Sequence, residues 1–334
     1  MGGITPLLLA IETSCDETAV ALLRGRKLLA SEVASQIAAH QPYGGVVPEV
    51  ASRHHLQHLP RLLQRAVAHA GISLGEVAAF AATGGPGLAS SLMIGASLAK
   101  GLALGFAKPY LAINHLEGHL LSPFFQTKNG VEPNVSLIVS GGHTLLVEVR
   151  AVGDYRLIGR TVDDAAGEAF DKVAKMLGLA YPGGPEIERC AQGGDPARFD
   201  LPRSMLHSGN ANFSFSGLKT AVRYLLPKTT PNDQSDLCAS FQHAVVDVLV
   251  TKTIVAARSA RRDLVTISGG VSRNRALREQ MSLGCAAAGL QLRCAAPGLC
   301  TDNAAMIAFA ALLRLETGES TPLTTEIDPN LALA

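Results

Sequence analysis

His115 and His119 are the residues whose type and spacing most directly imply chemistry. Four positions apart on a helix they share one face, one turn apart, so both imidazoles can point at one cation. His-x-x-x-His is a common two-ligand arrangement for a transition metal. A pair of polar surface histidines beside an apolar run is the ordinary alternative. Asp302, which opens a helix far downstream, is a candidate third ligand and equally a candidate helix N-cap. The two roles are compatible, because an N-cap carboxylate can face an ion at the same helix end. The zinc-peptidase signature needs a glutamate directly after the first histidine. Here Leu116 holds that slot, and Glu117 follows on a different face.

The elements that must position these groups are drawn from 334 residues, 47% hydrophobic and 17% charged. That composition builds a large core, makes disorder an unsuitable description, and suits two domains or one large one. A net charge of +1 excludes a global basic field. Nucleic acid would have to bind through a local patch or with a partner's help. Six cysteines at 15, 190, 238, 285, 294 and 300 form no Cys-x-x-Cys pair, which predicts reduced thiols and a cytoplasmic protein. The N-terminus has no basic region, and its apolar run ends at Glu12, too soon for a signal peptide. Gly85 to Ala107 is the most lipid-like stretch. Lys100 and several glycines break it, so it reads as a loop and a tightly packed buried helix rather than a membrane span.

An apolar strand ending in Ser/Thr-Gly-Gly occurs three times, at Thr83, Ser140 and Ser268. One such turn is weak evidence, since turns use Gly-Gly everywhere. Three of them predict a backbone that repeatedly approaches a phosphorylated ligand. The strands are Val77 to Ala82, Val135 to Val139 and Val265 to Ile267. A further strand–polar turn–strand opens the chain, from Leu7 to Glu12 through Thr13–Thr18 to Ala19–Leu23. The helix Leu88 to Leu104 carries Ala89, Ser90, Gly95, Ala96, Ser97 and Ala99, small residues that serve either internal packing or a dimerisation surface. Tyr110 to Ile113 is the strand that delivers His115. A helix running to Ala70 carries Arg53, His54, His55, His58, Arg61 and Arg65. It is either a solvated face or a phosphate-contacting surface for RNA. Asp163 or Asp164 is expected to cap the helix that follows. Asn212 to Thr220 reads as a strand and turn before a helix. Cys300 to Asn303 precedes an apolar helix, Ala304 to Leu315.

Taken in this order, the motifs closely resemble the universal tRNA N6-adenosine threonylcarbamoyltransferases of the bacterial TsaD type. The resemblance spans nearly the whole chain. It rests on Ile11–Thr18, Gly44–Arg53, Gly85–Leu88, His115–His119, Ser140–Thr144, Ala169–Lys172, Tyr181–Pro185, Phe213–Lys219, Ser268–Asn274 and Thr301–Asn303. It implies an α/β, actin-like and sugar-kinase-like fold of two RNase H-like subdomains around a cleft. The expected division is 1–130, with the C-terminal helix 303–318 as a candidate completion, and 131–302. It implies that His115, His119 and Asp302 hold one divalent metal, usually taken as iron(II), although the donors alone suit zinc equally.

By resemblance, Ile138, Val139, Ser140, Gly141, Gly142, Asp171, Gly184 and Asn274 bind threonylcarbamoyl-AMP. Glu188 stands where many relatives carry an aspartate, which leaves its contact open. The implied reaction is transfer of the threonylcarbamoyl group to N6 of adenosine 37 in tRNAs reading ANN codons, with release of AMP and no covalent side-chain nucleophile. The implied partners are tRNA, an upstream threonylcarbamoyl-AMP synthase, a TsaB-type paralogue and a TsaE-type ATPase, with no membrane. Two rival classes use some of the same features. An actin-like regulatory ATPase needs the glycine turns but not the histidines, and a metallopeptidase needs the histidines with a differently placed glutamate.

Overall fold

The computed structural model describes residues 5–127 and 129–333. They form two compact units, one of residues 5–127 with 302–333 and one of residues 129–301.

The first unit is built on β1 (Leu7–Glu12), β2 (Glu17–Arg24), β3 (Lys27–Ser35), α1 (Ile37–His40), α2 (Pro48–Ala70), β4 (Ala79–Gly85), α3 (Ala89–Gly105), β5 (Tyr110–Asn114) and α4 (His115–Leu121), and α11 (Ala304–Glu316) also packs here. The sheet order is β3-β2-β1-β4-β5. β1 pairs antiparallel with β2 and parallel with β4, so it is central. A strand covered on both faces can be apolar at every position, and all six residues of β1 are buried. Side chains alternate between faces. Leu7, Leu9 and Ile11 share a core with Leu59 and Leu62 of α2 and with Ala99 and Ala103 of α3. By that parity Leu8, Ala10 and Glu12 point to the other face. α11 packs against β1 and α4 and is buried from Ala304 to Leu313, as expected of a helix that is apolar all round.

In α3 the small residues divide: Gly95, Ala96 and Ala99 are buried and serve internal packing, while Ala89, Ser90 and Ser97 are exposed. A Cβ at Gly95 would collide with Thr13 and lie 3.2 Å from Ile11. The basic α2 is divided in the same way. His55 is fully buried, while Arg53 pairs with Glu49 and Arg65 with Glu32.

The second unit carries β6 (Asn134–Val139), β7 (Thr144–Ala151), β8 (Asp154–Arg160), α5 (Ala166–Met176), α6 (Gly183–Cys190), α7 (Ser216–Leu225), α8 (Gln234–Ser259), β9 (Leu264–Ser268), α9 (Arg275–Ala287), β10 (Gln291–Cys294) and α10 (Pro297–Cys300). Its order, β10-β9-β6-β7-β8, has the same antiparallel meander and parallel flank as the first. The stretch Pro231–Ser259 is long and apolar enough to cross a membrane, but 67% of its apolar window is buried inside the protein.

Three local expectations are corrected. Neither Asp163 nor Asp164 caps α5, whose N-cap is Ala165. Asp163 instead accepts from the Phe215 and Ser216 amides at the start of α7, and Asp164 binds Lys172 and Lys219. Residues 212–215 form no strand, only a single bridge from Phe213 to Thr161. The N-cap of α11 is Asn303, which accepts from Met306 N, so Asp302 lies outside the helix.

Candidate functional site

β5 ends at Asn114, whose side chain accepts from Leu116 N and starts α4. That cap puts His115 and His119 on one face, both buried. α11 lies close enough to present Asp302 because Gly118 has no side chain: a Cβ there would sit 2.9 Å from Ile307 and 3.1 Å from Met306. Asp302 Oδ1 is 3.0 Å from His119 Nε2 and 3.5 Å from His115 Nε2. One ligand atom from each of the three residues falls within 4.8 Å of the others. A cation about 2.1 Å from each donor separates neighbouring ligand atoms by roughly 3.0–3.4 Å, which the two Asp302 distances match, so a small inward shift of the histidines would let all three hold one ion.

The surroundings fit it as well. Glu12, on the α11 side of β1, holds His115 Nδ1 at 2.9 Å, leaving Nε2 for the ion. A carboxylate behind a ligating histidine is the usual second partner in such centres. Thr83 Oγ1 donates to Glu12, and Ser14 Oγ lies 3.1 Å from His115 Nδ1. Burial disfavours a charged His115, yet the Asp302 and Glu12 carboxylates outweigh it and push its pKa up to about 9. Two carboxylates thus demand positive charge between them. A proton supplies it in the free protein, and a divalent cation would displace that proton on binding.

Glu117 does not face this centre. Its buried carboxylate is held by Arg314 of α11 at 2.9 Å, which removes the general base that a peptidase would need.

In the second unit the residues expected to bind an adenylate are linked in a closed ring of contacts. Ser140 N bonds His143 O, leaving Gly141 and Gly142 exposed at the β6–β7 turn. Gly167 at the start of α5 packs on that turn, where a Cβ would sit 2.8 Å from Gly141 Cα, and its N–H donates to Ser140 O. One turn along, Asp171 accepts from Gly183 N at 2.7 Å and so aligns α6, which carries Gly184 and Glu188. Glu188 accepts from Arg275 N at 2.7 Å. Asn274, the N-cap of α9, donates to Gln242 at 2.7 Å. Gly269 adopts φ +89°, and a Cβ there would collide with the Val139 carbonyl, which closes the ring.

Within this ring the side chains of Ile138 and Val139 are fully buried, so any contact from them is through backbone. At Gly141, Gly142, Gly184 and Gly270 a Cβ would meet nothing within 4 Å. The open glycines face space, while the crowded ones, Gly167, Gly183 and Gly269, hold the ring together. The third glycine turn, at Thr83, behaves differently. Gly84 O accepts from Asp328 N at 2.8 Å, and a Cβ at Gly85 would strike the Asp328 carbonyl, so this turn holds the chain's own C-terminal segment.

Comparison with known proteins bears on the family. A family model described as TsaD, tRNA N6-adenosine threonylcarbamoyltransferase, matches residues 27–309. A protein of that name from Paracidovorax citrulli (strain AAC00-1) is 51% identical over 325 residues, covering 95% of this chain and 93% of its own. Another from Geobacter metallireducens (strain ATCC 53774 / DSM 7210 / GS-15) is 50% identical, covering 96% and 95%.

The chain belongs to the tRNA N6-adenosine threonylcarbamoyltransferase family.

As a member of that family it is a transferase that acts on adenosine of tRNA. Its fold is the actin-like, sugar-kinase-like one. HypF from T. kodakarensis superposes with a TM-score of 0.67 at 14% identity, covering 94% of this chain and 48% of that one. Component A of the Acidaminococcus fermentans (R)-2-hydroxyglutaryl-CoA dehydratase superposes with a TM-score of 0.57 at 15% identity, covering 93% and 98%. These likenesses concern the fold alone.

Family membership replaces the peptidase and regulatory-ATPase alternatives. Glu12, Gly118 and Asn114 are the positioning residues that reading by motif missed. Glu12 carried one signal, a carboxylate at the end of an otherwise apolar run.

Proposed function

We propose that this chain transfers the threonylcarbamoyl group of threonylcarbamoyl-AMP to N6 of adenosine 37 in tRNAs reading codons that begin with A. The adenosine amine attacks the carbamoyl carbonyl carbon, the bond to the phosphate oxygen breaks, AMP leaves with the bonding pair, and N6 loses a proton. The donor is already activated, so no side chain need form a covalent intermediate. In this reading Gly141, Gly142, Gly184 and the Asn274 turn cradle the donor, with backbone N–H groups at the phosphate. His115, His119 and Asp302 would hold one divalent cation, iron(II) with zinc(II) as the alternative. When bound, it supplies Lewis-acid anchoring of substrate oxygens. Glu12 fixes the His115 ring so that Nε2 points at that position.

The convergence of His115, His119 and Asp302 in a chain of this family is the observation that carries the reading. The donor comes from a separate synthase, and a TsaB-type paralogue and a TsaE-type ATPase complete the cytoplasmic system. The near-neutral chain fits an enzyme that shares RNA binding with partners. The surface best suited to the paralogue is an apolar groove of about 340 Å³ lined by Pro60, Leu63, Gln64, Val67, Leu74 and Leu98, with Met93 and Leu104 exposed on the same pair of helices.

Mass analysis of tRNA nucleosides after depletion of this protein tests the function. Loss of threonylcarbamoyladenosine with other modified nucleosides unchanged is the expected result, and an unchanged level would overturn it.

A further inference from the structure

We propose that the C-terminal segment Thr321–Leu333 clamps the metal centre through Asn114, so that cation binding and docking of the segment stabilise each other. This rests on the reading that His115, His119 and Asp302 hold a cation.

β5 is the edge strand of its sheet, an exposed row of N–H and C=O groups. The segment covers that edge. Thr321 N donates to Tyr110 O at 2.7 Å, and Thr321 Oγ1 accepts from Ala112 N at 3.0 Å. Lys100 Nζ donates to Thr325 O. The segment then crosses the Thr83 glycine turn, where Asp328 N donates to Gly84 O and Gly87 N to Pro329 O. It ends on Asn114, whose Nδ2 donates to Ala332 O at 2.9 Å.

Asn114 is engaged at both ends. Its oxygen starts the helix that carries both histidines, and its nitrogen holds the segment. A second route reaches the same ring. Gly87 and Leu88 pack on Ser14, with Leu88 N donating to Ser14 O at 2.8 Å, and Ser14 Oγ lies against His115 Nδ1. The lack of a Cβ at Gly85 and Gly87 allows both approaches.

Residues 321–333 have no helix or strand and are mostly exposed. Polar contacts rather than a buried apolar face hold them, which places them at the low-stability end of the molecule. A ligand that orders α4 must then favour the docked segment, and linkage makes the effect reciprocal.

The test uses Co(II) alone as the probe and the full chain. Hydrogen exchange of the unmodified protein is followed with and without Co(II), reading Gly87 and Asp328, whose N–H groups bond across the contact. Co(II) affinity is measured for the unmodified chain, for Asn114→Ser, and for a chain ending at Ser320. Serine keeps a helix-capping oxygen but cannot reach Ala332. The expected result is exchange slowed several-fold at Gly87 and Asp328 by Co(II), and affinity lowered about tenfold in both variants, the size typical of losing a supporting partner. Co(II) binding with unchanged affinity in both variants and unchanged exchange would overturn the clamp and leave the metal reading intact. No Co(II) binding by the unmodified chain would overturn the metal reading and the clamp with it.

Discussion

The two candidate sites are built from opposite materials. In the first unit the centre consists of ionisable side chains, the buried His115, His119 and Glu12 and the half-buried Asp302, each fixed by another charged or polar group. In the second the site is mainly backbone, with open glycines at Gly141, Gly142, Gly184 and Gly270 supported by crowded ones. Buried charges gain from a cation that neutralises them and are costly without one. Exposed amides gain from an anion and cost little when solvated. The sites therefore suit ligands of opposite charge and, with no cation bound, should respond to substitution independently.

The largest effects come from attacking each site by its own logic. Asp302→Ala or His119→Ala should lower cation affinity by at least about a hundredfold, beyond what loss of a supporting residue costs. Measured without added cation, affinity for a non-hydrolysable threonylcarbamoyl-AMP analogue in the second unit should change little. Retained cation affinity by calorimetry would remove the assignment. Gly141→Val should have the converse effect. A Cβ there meets no protein atom within 4 Å, so the melting temperature should hold while analogue affinity falls about a hundredfold. Gly269→Ala is the contrasting glycine. At φ +89° against the Val139 carbonyl it should lose about 2 kcal/mol or more in a denaturant titration.

Glu12→Gln tests the support of His115 rather than its ligation. Cation affinity should fall about 10- to 100-fold, and analogue binding measured without added cation should not move. Equal affinity for the cation would make Glu12 a purely structural residue.

The remaining prediction is one of pH. Burial, then the Asp16 and Asp302 carboxylates, push the Glu17 pKa up to about 8 from 4.5. An acid whose folded pKa is raised binds more protons when folded, so stability falls as pH rises between those values and is level above them. The metal-free protein should follow that slope in thermal melts from pH 5 to 8, and Glu17→Gln should lessen it, leaving the part that the raised His115 pKa adds above about 6.5. A cation at Asp302 should also reduce it, by removing one source of repulsion.

How much of this was legible in the sequence follows from the same contrast. His-x-x-x-His has a fixed geometric meaning on a helix, so the pair could be read directly, and Asp302 stood out beside a helix start. Its role as a cap did not survive, because Asn303 takes the cap and leaves the carboxylate for His119. Glu12 was hidden at the end of an apolar strand, since strand parity shows its direction only once the faces are known. Glycine turns announce that something approaches the backbone but not what it is. The turns at Ser140 and Ser268 join one ring, whereas the turn at Thr83 holds residues 328–329, a pairing of about 240 positions that no local pattern encodes. Asp163 looked like a local cap and serves a helix some fifty residues away for the same reason. The first two strands of each meander were legible through their apolar runs, the more exposed β3 and β8 were not, and residues 212–215 were misread because Phe213 and Phe215 are buried without being in a strand.

The central claim is that this chain performs the transfer with a cation held by His115, His119 and Asp302. The most direct measurement is transfer from purified threonylcarbamoyl-AMP to unmodified tRNA, read by mass analysis of the nucleosides, for the unmodified chain and for Asp302→Ala with the proposed TsaB-type and TsaE-type partners present. The account predicts threonylcarbamoyladenosine with the unmodified chain and a yield below about one hundredth of it with the variant. Equal yields from both would contradict it.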